Sequence, residues 1–279
     1  MLIKKNVELV WLLWLAALPL LTGCGLQKDI DVPLPAYTSE LVVECYLENG
    51  KVPRLAVSES VAYLSPTLYA LPPNATVQLT LPNGRVIPFD FRPQLDTTVQ
   101  KIYTHVAREA IAARPGDTFR LDVRDDLGRH VTGSATMMPT VPIDSVRYRF
   151  NNLTGANREA SVLTWFKDPP TGGDYYFLTL HDKPNLNKEA ARTYNIDDRL
   201  VNGQNIPITT LFRFDSGDTI TATLYHTDPA YYRFRQSARD ARSANGNPFG
   251  QPSAVYSTVQ GGIGVFTVLS YTRQMTIIP

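Results

Sequence analysis

At 279 residues the chain exceeds the roughly 150 of an average domain, so two domains are expected. Its 27 basic and 26 acidic side chains nearly cancel, which argues against a nucleic-acid partner, because such a partner calls for a basic excess or stripe. With 43% apolar residues a wholly disordered chain is excluded, and 21 prolines with 10% aromatics favour strands and turns over long helices.

The N-terminus carries Lys4 and Lys5 ahead of the apolar run Leu9 to Leu21. As a helix that run spans about 20 Å, against roughly 30 Å of bilayer hydrocarbon, so it reads as a signal-peptide core over residues 1–23. Leu21-Thr22-Gly23-Cys24 resembles the bacterial lipobox, where small residues precede the cut and the following thiol accepts the lipid. One acyl chain binds a membrane weakly and two or more anchor it, so Cys24 is expected to be a lipidated tether. Cys45 is then the one remaining cysteine, and no intrachain disulfide is possible. It lies in a run where Leu41, Val43, Cys45 and Leu47 share one face at period two, which predicts a buried, inert thiol.

Residues 24–37 hold two prolines and the charged cluster Lys28, Asp29 and Asp31, as in an extended tether. Strands are predicted from Leu41 to Leu47, Arg54 to Ser58 and Ala75 to Leu81, with Asn83-Gly84 turning the chain into Val86-Ile87. Val99 to Val106, Thr118 to Arg124 and His130 to Met137 alternate in turn, completing an immunoglobulin-like β-sandwich over residues 38–140. Pro139 and Pro142 stiffen a junction. A second all-β domain, a sandwich or partly closed barrel over residues 143–279, is expected from strands at Ser145 to Asn151, Ala160 to Lys167, Tyr175 to His181, Ile206 to Phe214 and Thr219 to His226. Asp228-Pro229 then places a capping acid before proline at the first helical position, predicting one helix over about 229–240. Two final strands fit Gly264 to Tyr271 and Gln274 to Ile278.

Several stretches, in order, are similar to one family. Cys24 with Lys28-Asp29-Ile30-Asp31, Leu41-Val42-Val43-Glu44, Arg114-Pro115-Gly116-Asp117-Thr118 and Met138-Pro139-Thr140-Val141-Pro142 carry the first half. Phe166-Lys167-Asp168-Pro169-Pro170, Asp174-Tyr175-Tyr176-Phe177, Asp215-Ser216-Gly217-Asp218-Thr219 and Gly261-Gly262-Ile263-Gly264 carry the second. Together they resemble the domain of unknown function 4249, a lipoprotein family of the Bacteroidota. That resemblance implies an outer-membrane or periplasmic lipoprotein, often beside a TonB-dependent receptor. It assigns no activity and no functional residue.

Local motifs for chemistry are sparse. His105, His130, His181 and His226 are scattered, and HExxH or paired-cysteine spacing is absent, so no metal is assigned. Asn195-Ile196-Asp197-Asp198-Arg199 loosely resembles a calcium loop but lacks the alternating acids and terminal glutamate of an EF-hand. Gly261-Gly262-Ile263-Gly264 precedes a strand, where phosphate capture calls for a helix N-terminus, and reads as a turn or bulge. No nucleophile elbow or phosphate loop occurs, and no cofactor is assigned.

The expected function is therefore a non-catalytic accessory or binding lipoprotein, anchored in the outer membrane through its N-terminal lipid and facing the periplasm or the cell surface. The TonB-dependent transporter as partner comes from the resemblance alone. Tyr232 and Arg235 on the helix, beside the long 243–264 segment, are the candidate binding residues. Glycan binding is the alternative, favoured by exposed aromatics in one cleft. A hydrolase is favoured only if distant acids or histidines converge in a deep pocket.

Overall fold

The computed structural model describes residues 37–62, 74–183, 186, 189–244 and 253–279. The expected signal peptide, the tether up to residue 36 and Cys24 lie outside the described residues. Over the described residues the protein is an all-β, sandwich-like fold with one α-helix, as the sequence predicts. In chain order the strands are β1 (Leu41–Glu48), β2 (Arg54–Glu59), β3 (Ala75–Thr80), β4 (Val86–Asp96), β5 (Lys101–Ala107), β6 (Thr118–Asp125), β7 (His130–Thr136), β8 (Ile143–Phe150), β9 (Ala160–Lys167), β10 (Tyr175–His181), β11 (Arg192–Asp197), β12 (Asn205–Thr209) and β13 (Thr219–Thr227). Helix α1 (Pro229–Ala244) follows, then the short β14 (Val259–Gln260) and the long β15 (Ile263–Ile277).

One hydrogen-bonded series runs β11-β10-β13-β15-β1-β2-β5-β4-β3-β6-β7-β14, and a smaller sheet runs β12-β9-β8. β15 joins the series from both directions. Its first half pairs in parallel with β1, from Val42↔Ile263 to Glu48↔Leu269. Its second half pairs antiparallel with β13, from His226↔Ser270 to Thr219↔Ile277. The two strands expected at the C-terminus are thus one. The strand runs unbroken through Thr272 and Arg273, which pair with Leu224 and Thr223 of β13.

Two main cores follow from period-two burial. In the first, Leu41, Val43, Cys45 and Leu47 point inward together and meet Phe119, Leu121, Val131 and Phe266. Burial pushes the Cys45 thiol up to about 12, so it stays protonated and unreactive at neutral pH. The second core joins Phe166 of β9, Tyr176 and Leu178 of β10, and Leu224 of β13, where the small sheet covers one face of the larger one. The opposite face of β10 lies under α1, where Phe177 meets Tyr231 and Val265. Six of the seven β10 residues are buried because both faces are covered.

The helix starts as its cap dictates, with the Tyr231 N–H donating to Asp228 Oδ1 at 2.9 Å. It runs to Ala244, one turn past the expected end. The glycines before β15 answer a different demand from a simple turn. A Cβ on Gly261 would stand 2.1 Å from His130 O, and one on Gly262 would stand 2.6 Å from Leu41 O. The chain passes here between the backbones of β7 and β1, where only glycine fits.

Candidate functional site

Three acids far apart in sequence meet at one end of the second core. Asp168 follows β9, Asp174 precedes β10 and Asp198 follows β11, so the adjacency of these strand ends brings them together. One carboxylate oxygen from each lies within 4.8 Å of the other two, and all three residues are buried. Asp168 is held by the Tyr176 hydroxyl, which donates to Oδ1 at 2.6 Å, and by the Gly203 N–H, which donates to Oδ2 at 2.8 Å. The Thr171 hydroxyl donates to Asp174 Oδ2 at 3.3 Å. The backbone ties the loops to each other, since the Asp198 N–H donates to Asp174 O and the Asp168 N–H to Gln204 O.

His226 closes the cluster from β13. Its Nδ1 lies 2.7 Å from Pro139 O and its Nε2 lies 2.9 Å from Asp174 Oδ1. Both ring nitrogens thus face oxygen acceptors, and the His226–Asp174 contact holds one proton beyond that donated to Pro139. Burial, the hydrogen bond to Asp168 and the nearby carboxylates raise the Tyr176 pKa, so its hydroxyl keeps its proton and serves as a donor. The convergence is hidden in the sequence: Asp198 stands in the segment that loosely resembles a calcium loop, and nothing in its spacing ties it to Asp168 or Asp174. The other local clue is the pairing of Asp168-Pro169-Pro170 with Gly172-Gly173-Asp174, a loop with an acid at each end.

The other histidines serve the fold. His105 is buried, with Nδ1 2.8 Å from Thr104 Oγ1 and Nε2 3.0 Å from Ala75 O, and burial lowers its pKa. His130 pairs with Asp122 near the surface, and His181 is buried at the end of β10.

The helix residues expected to form a binding face are placed elsewhere. Tyr232 is 9% exposed and packs on Tyr175, with ring centroids 4.9 Å apart. Arg235 is half-buried, its guanidinium 3.8 Å over the Phe177 ring and its Nε enclosed. The correction has a physical cause: β10 and β13 present Tyr175, Phe177 and Tyr225 on their outer face, and the helix covers that aromatic surface with both side chains. The segment after α1 lies partly outside the described residues.

The open surface instead carries a groove of about 810 Å³ across β1, β2, β5 and β15. Tyr46, Glu48, Arg54, Tyr103, Tyr271 and Arg273 line it. Arg54 pairs with Asp96 at 3.1 Å while its guanidinium lies 4.1 Å over Tyr103. Tyr271 donates to Glu48 Oε2 at 3.0 Å and lies 4.3 Å under Arg273. Lys101 pairs with Glu44 and stands about 5 Å over both Tyr46 and Tyr103.

The family model described as domain of unknown function (DUF4249) matches residues 27–275. No curated protein matches the chain. Among solved structures, the chain is similar to pullulanase complexed with maltotriose from Anoxybacillus sp. LM18-11, at 14% identity and a TM-score of 0.20 over 66% of this chain. It spans 24% of that structure's length, and a score this low carries no argument about fold or activity.

Proposed function

The chain belongs to the DUF4249 family, and from that premise we propose that it is a lipid-anchored binding lipoprotein of the outer membrane. It acts beside a TonB-dependent transporter, facing the periplasm or the cell surface, and performs no catalysis. The groove across β1, β2, β5 and β15 carries this reading. Tyrosine and arginine are the side chains most enriched at binding hot spots, because they bury large areas and make directional contacts. Here they line one concavity on a rigid sheet. The converging acids, by contrast, are buried among strands and loops, where a hydrolase would open them to substrate. Among the described residues no helix is long and apolar enough to cross a membrane, and the lipid on Cys24 supplies the anchor.

Tyr46, Tyr103 and Tyr271 in one groove also bear on glycan binding. Arg54, Arg273 and Lys101 lie over their rings, so a sugar stacking there would first displace a cation. A protein surface can offer its own acidic and carbonyl groups in exchange for Asp96 and Glu44 on those cations, and the groove is assigned to such a partner.

The joint variant Arg54→Ala, Tyr103→Ala removes one half-exposed ion pair and one half-buried ring, so the fold is expected to persist. Capture of a TonB-dependent transporter from solubilised outer membranes, identified by peptide mass, should fall by about tenfold or more. Wild-type protein that captures no such transporter, or a folded variant that captures it equally well, contradicts the proposal.

A further inference from the structure

We infer that Asp168, Asp174 and Asp198 bind one divalent cation, and that Ca²⁺ is the ion their arrangement fits. Sequence spacing assigns no metal here; the site exists only in the folded chain. The first observation is charge. Three carboxylates lie within 4.8 Å of one another in the interior, and among the described residues no lysine or arginine forms an ion pair with any of them. His226 alone offers a compensating proton, and it offers it to Asp174. Like charges this close, out of water, are neutralised by protons or by a bound cation.

The second observation is independent of the clustering. Asp198 is 2% exposed, and its Oδ2 has no hydrogen-bond partner. The other two acids have every carboxylate oxygen engaged by a hydroxyl, an amide or the imidazole. A buried carboxylate oxygen without a donor costs its full desolvation, and metal coordination removes that cost where no protein donor does.

The donor set then selects the ion. All three acids supply hard oxygen atoms, and the one imidazole at the site is already bound on both sides, which disfavours zinc. Ca²⁺ accepts carboxylate oxygens in flexible geometry, whereas Mg²⁺ demands a near-ideal octahedron and keeps several waters, which three buried acids on separate loops suit less well. Tyr176 and Gly203 orient Asp168 as outer groups orient ligating carboxylates in metal sites. The bound ion would fasten the 168–174 and 198–204 loops to the end of β10.

The test uses the mature chain, stripped with a chelator and desalted, then titrated with CaCl₂ by calorimetry. One Ca²⁺ per chain and a melting temperature that rises with Ca²⁺ are expected, with Mg²⁺ binding about tenfold more weakly or less. Asp198→Asn keeps the shape and removes a charge, and should lower Ca²⁺ affinity about tenfold or more. Asp197→Asn, which breaks only a surface pair with Arg199, should bind as wild type. No binding by wild type, or equal binding by Asp198→Asn, overturns the inference. So does an Asp198→Asn protein that melts higher than wild type while neither responds to Ca²⁺. Should that variant fail to fold, Tb³⁺ luminescence excited through Tyr176 in wild type decides. A signal displaced by Ca²⁺ supports the site, and no sensitised signal refutes it.

Discussion

Gly264→Ala is expected to cost about 4 kcal/mol or more and to leave little folded protein. Gly264 has φ +138°, and a Cβ there would stand 1.8 Å from Val43 O and 2.9 Å from Val43 N. Both are backbone atoms, so no side chain can swing aside. Gly264 and Val43 are partners in the parallel β1–β15 pairing, and Val43 is buried in the first core. Accommodating one methyl group therefore means separating the strand that joins the two halves of the sheet. Gly217→Ala supplies the contrast, because Gly217 has φ +94° but open space around it. Its cost should be the left-handed backbone penalty alone, roughly 1–2 kcal/mol. Urea denaturation followed by circular dichroism measures both, and equal midpoints for the two variants would refute the β1–β15 register.

His226→Ala should destabilise by about 2–4 kcal/mol, for the loss of two buried hydrogen bonds and the space left by the ring. The ring is 2% exposed, packs on Tyr176 at 4.8 Å between centroids, and bridges Pro139 O to Asp174. Its loss leaves the Asp174 carboxylate without its strongest donor and opens a space beneath the junction at Pro139. His130→Ala offers a comparison, since His130 pairs with Asp122 where both side chains are more than a third exposed. That change should cost under about 1 kcal/mol. A His226→Ala protein as stable as His130→Ala would mean that the acidic cluster does not depend on the imidazole.

Strands with clean alternation were legible in the sequence, and their inward faces were too. Leu41, Val43, Cys45 and Leu47 fill the first core as period two requires. β4 was read as only Val86-Ile87 because Pro88 and Pro93 break the pattern. The strand instead continues to Asp96, taking up Pro93 where the register with β5 shifts between Phe91 and Gln94. β11 is an edge strand with no fully buried residue, and its alternation is limited to Tyr194 and Ile196, too short a run to mark a strand. On α1 the helical period was right, but period alone does not say how wide an aromatic surface the underlying strands present. Phe177 and Tyr225 stack at 4.1 Å and extend that surface, which draws in Tyr232 and Arg235.

The pairing of β1 with β15 and the meeting of Asp168, Asp174 and Asp198 were out of reach for the same reason. Both join segments whose local sequences are fully explained by strand and turn chemistry, and only the strand order brings them together. Gly264 left a trace as part of a glycine cluster, though one that suits a turn equally well. The buried acids left weaker traces, an acid at each end of the 168–174 loop and Asp198 in a segment that loosely resembles a calcium loop, and neither says that the two loops meet.

Anchoring through Cys24 underlies the proposed role, and the mass of the mature N-terminus tests it most directly. Protein extracted from membranes with detergent should begin at Cys24 and carry diacylglycerol on the sulfur, and Cys24→Ala should abolish that mass and move the protein into the soluble fraction. A wild-type N-terminus without lipid, or a Cys24→Ala protein that stays with the membrane, would contradict a lipid-anchored binding protein.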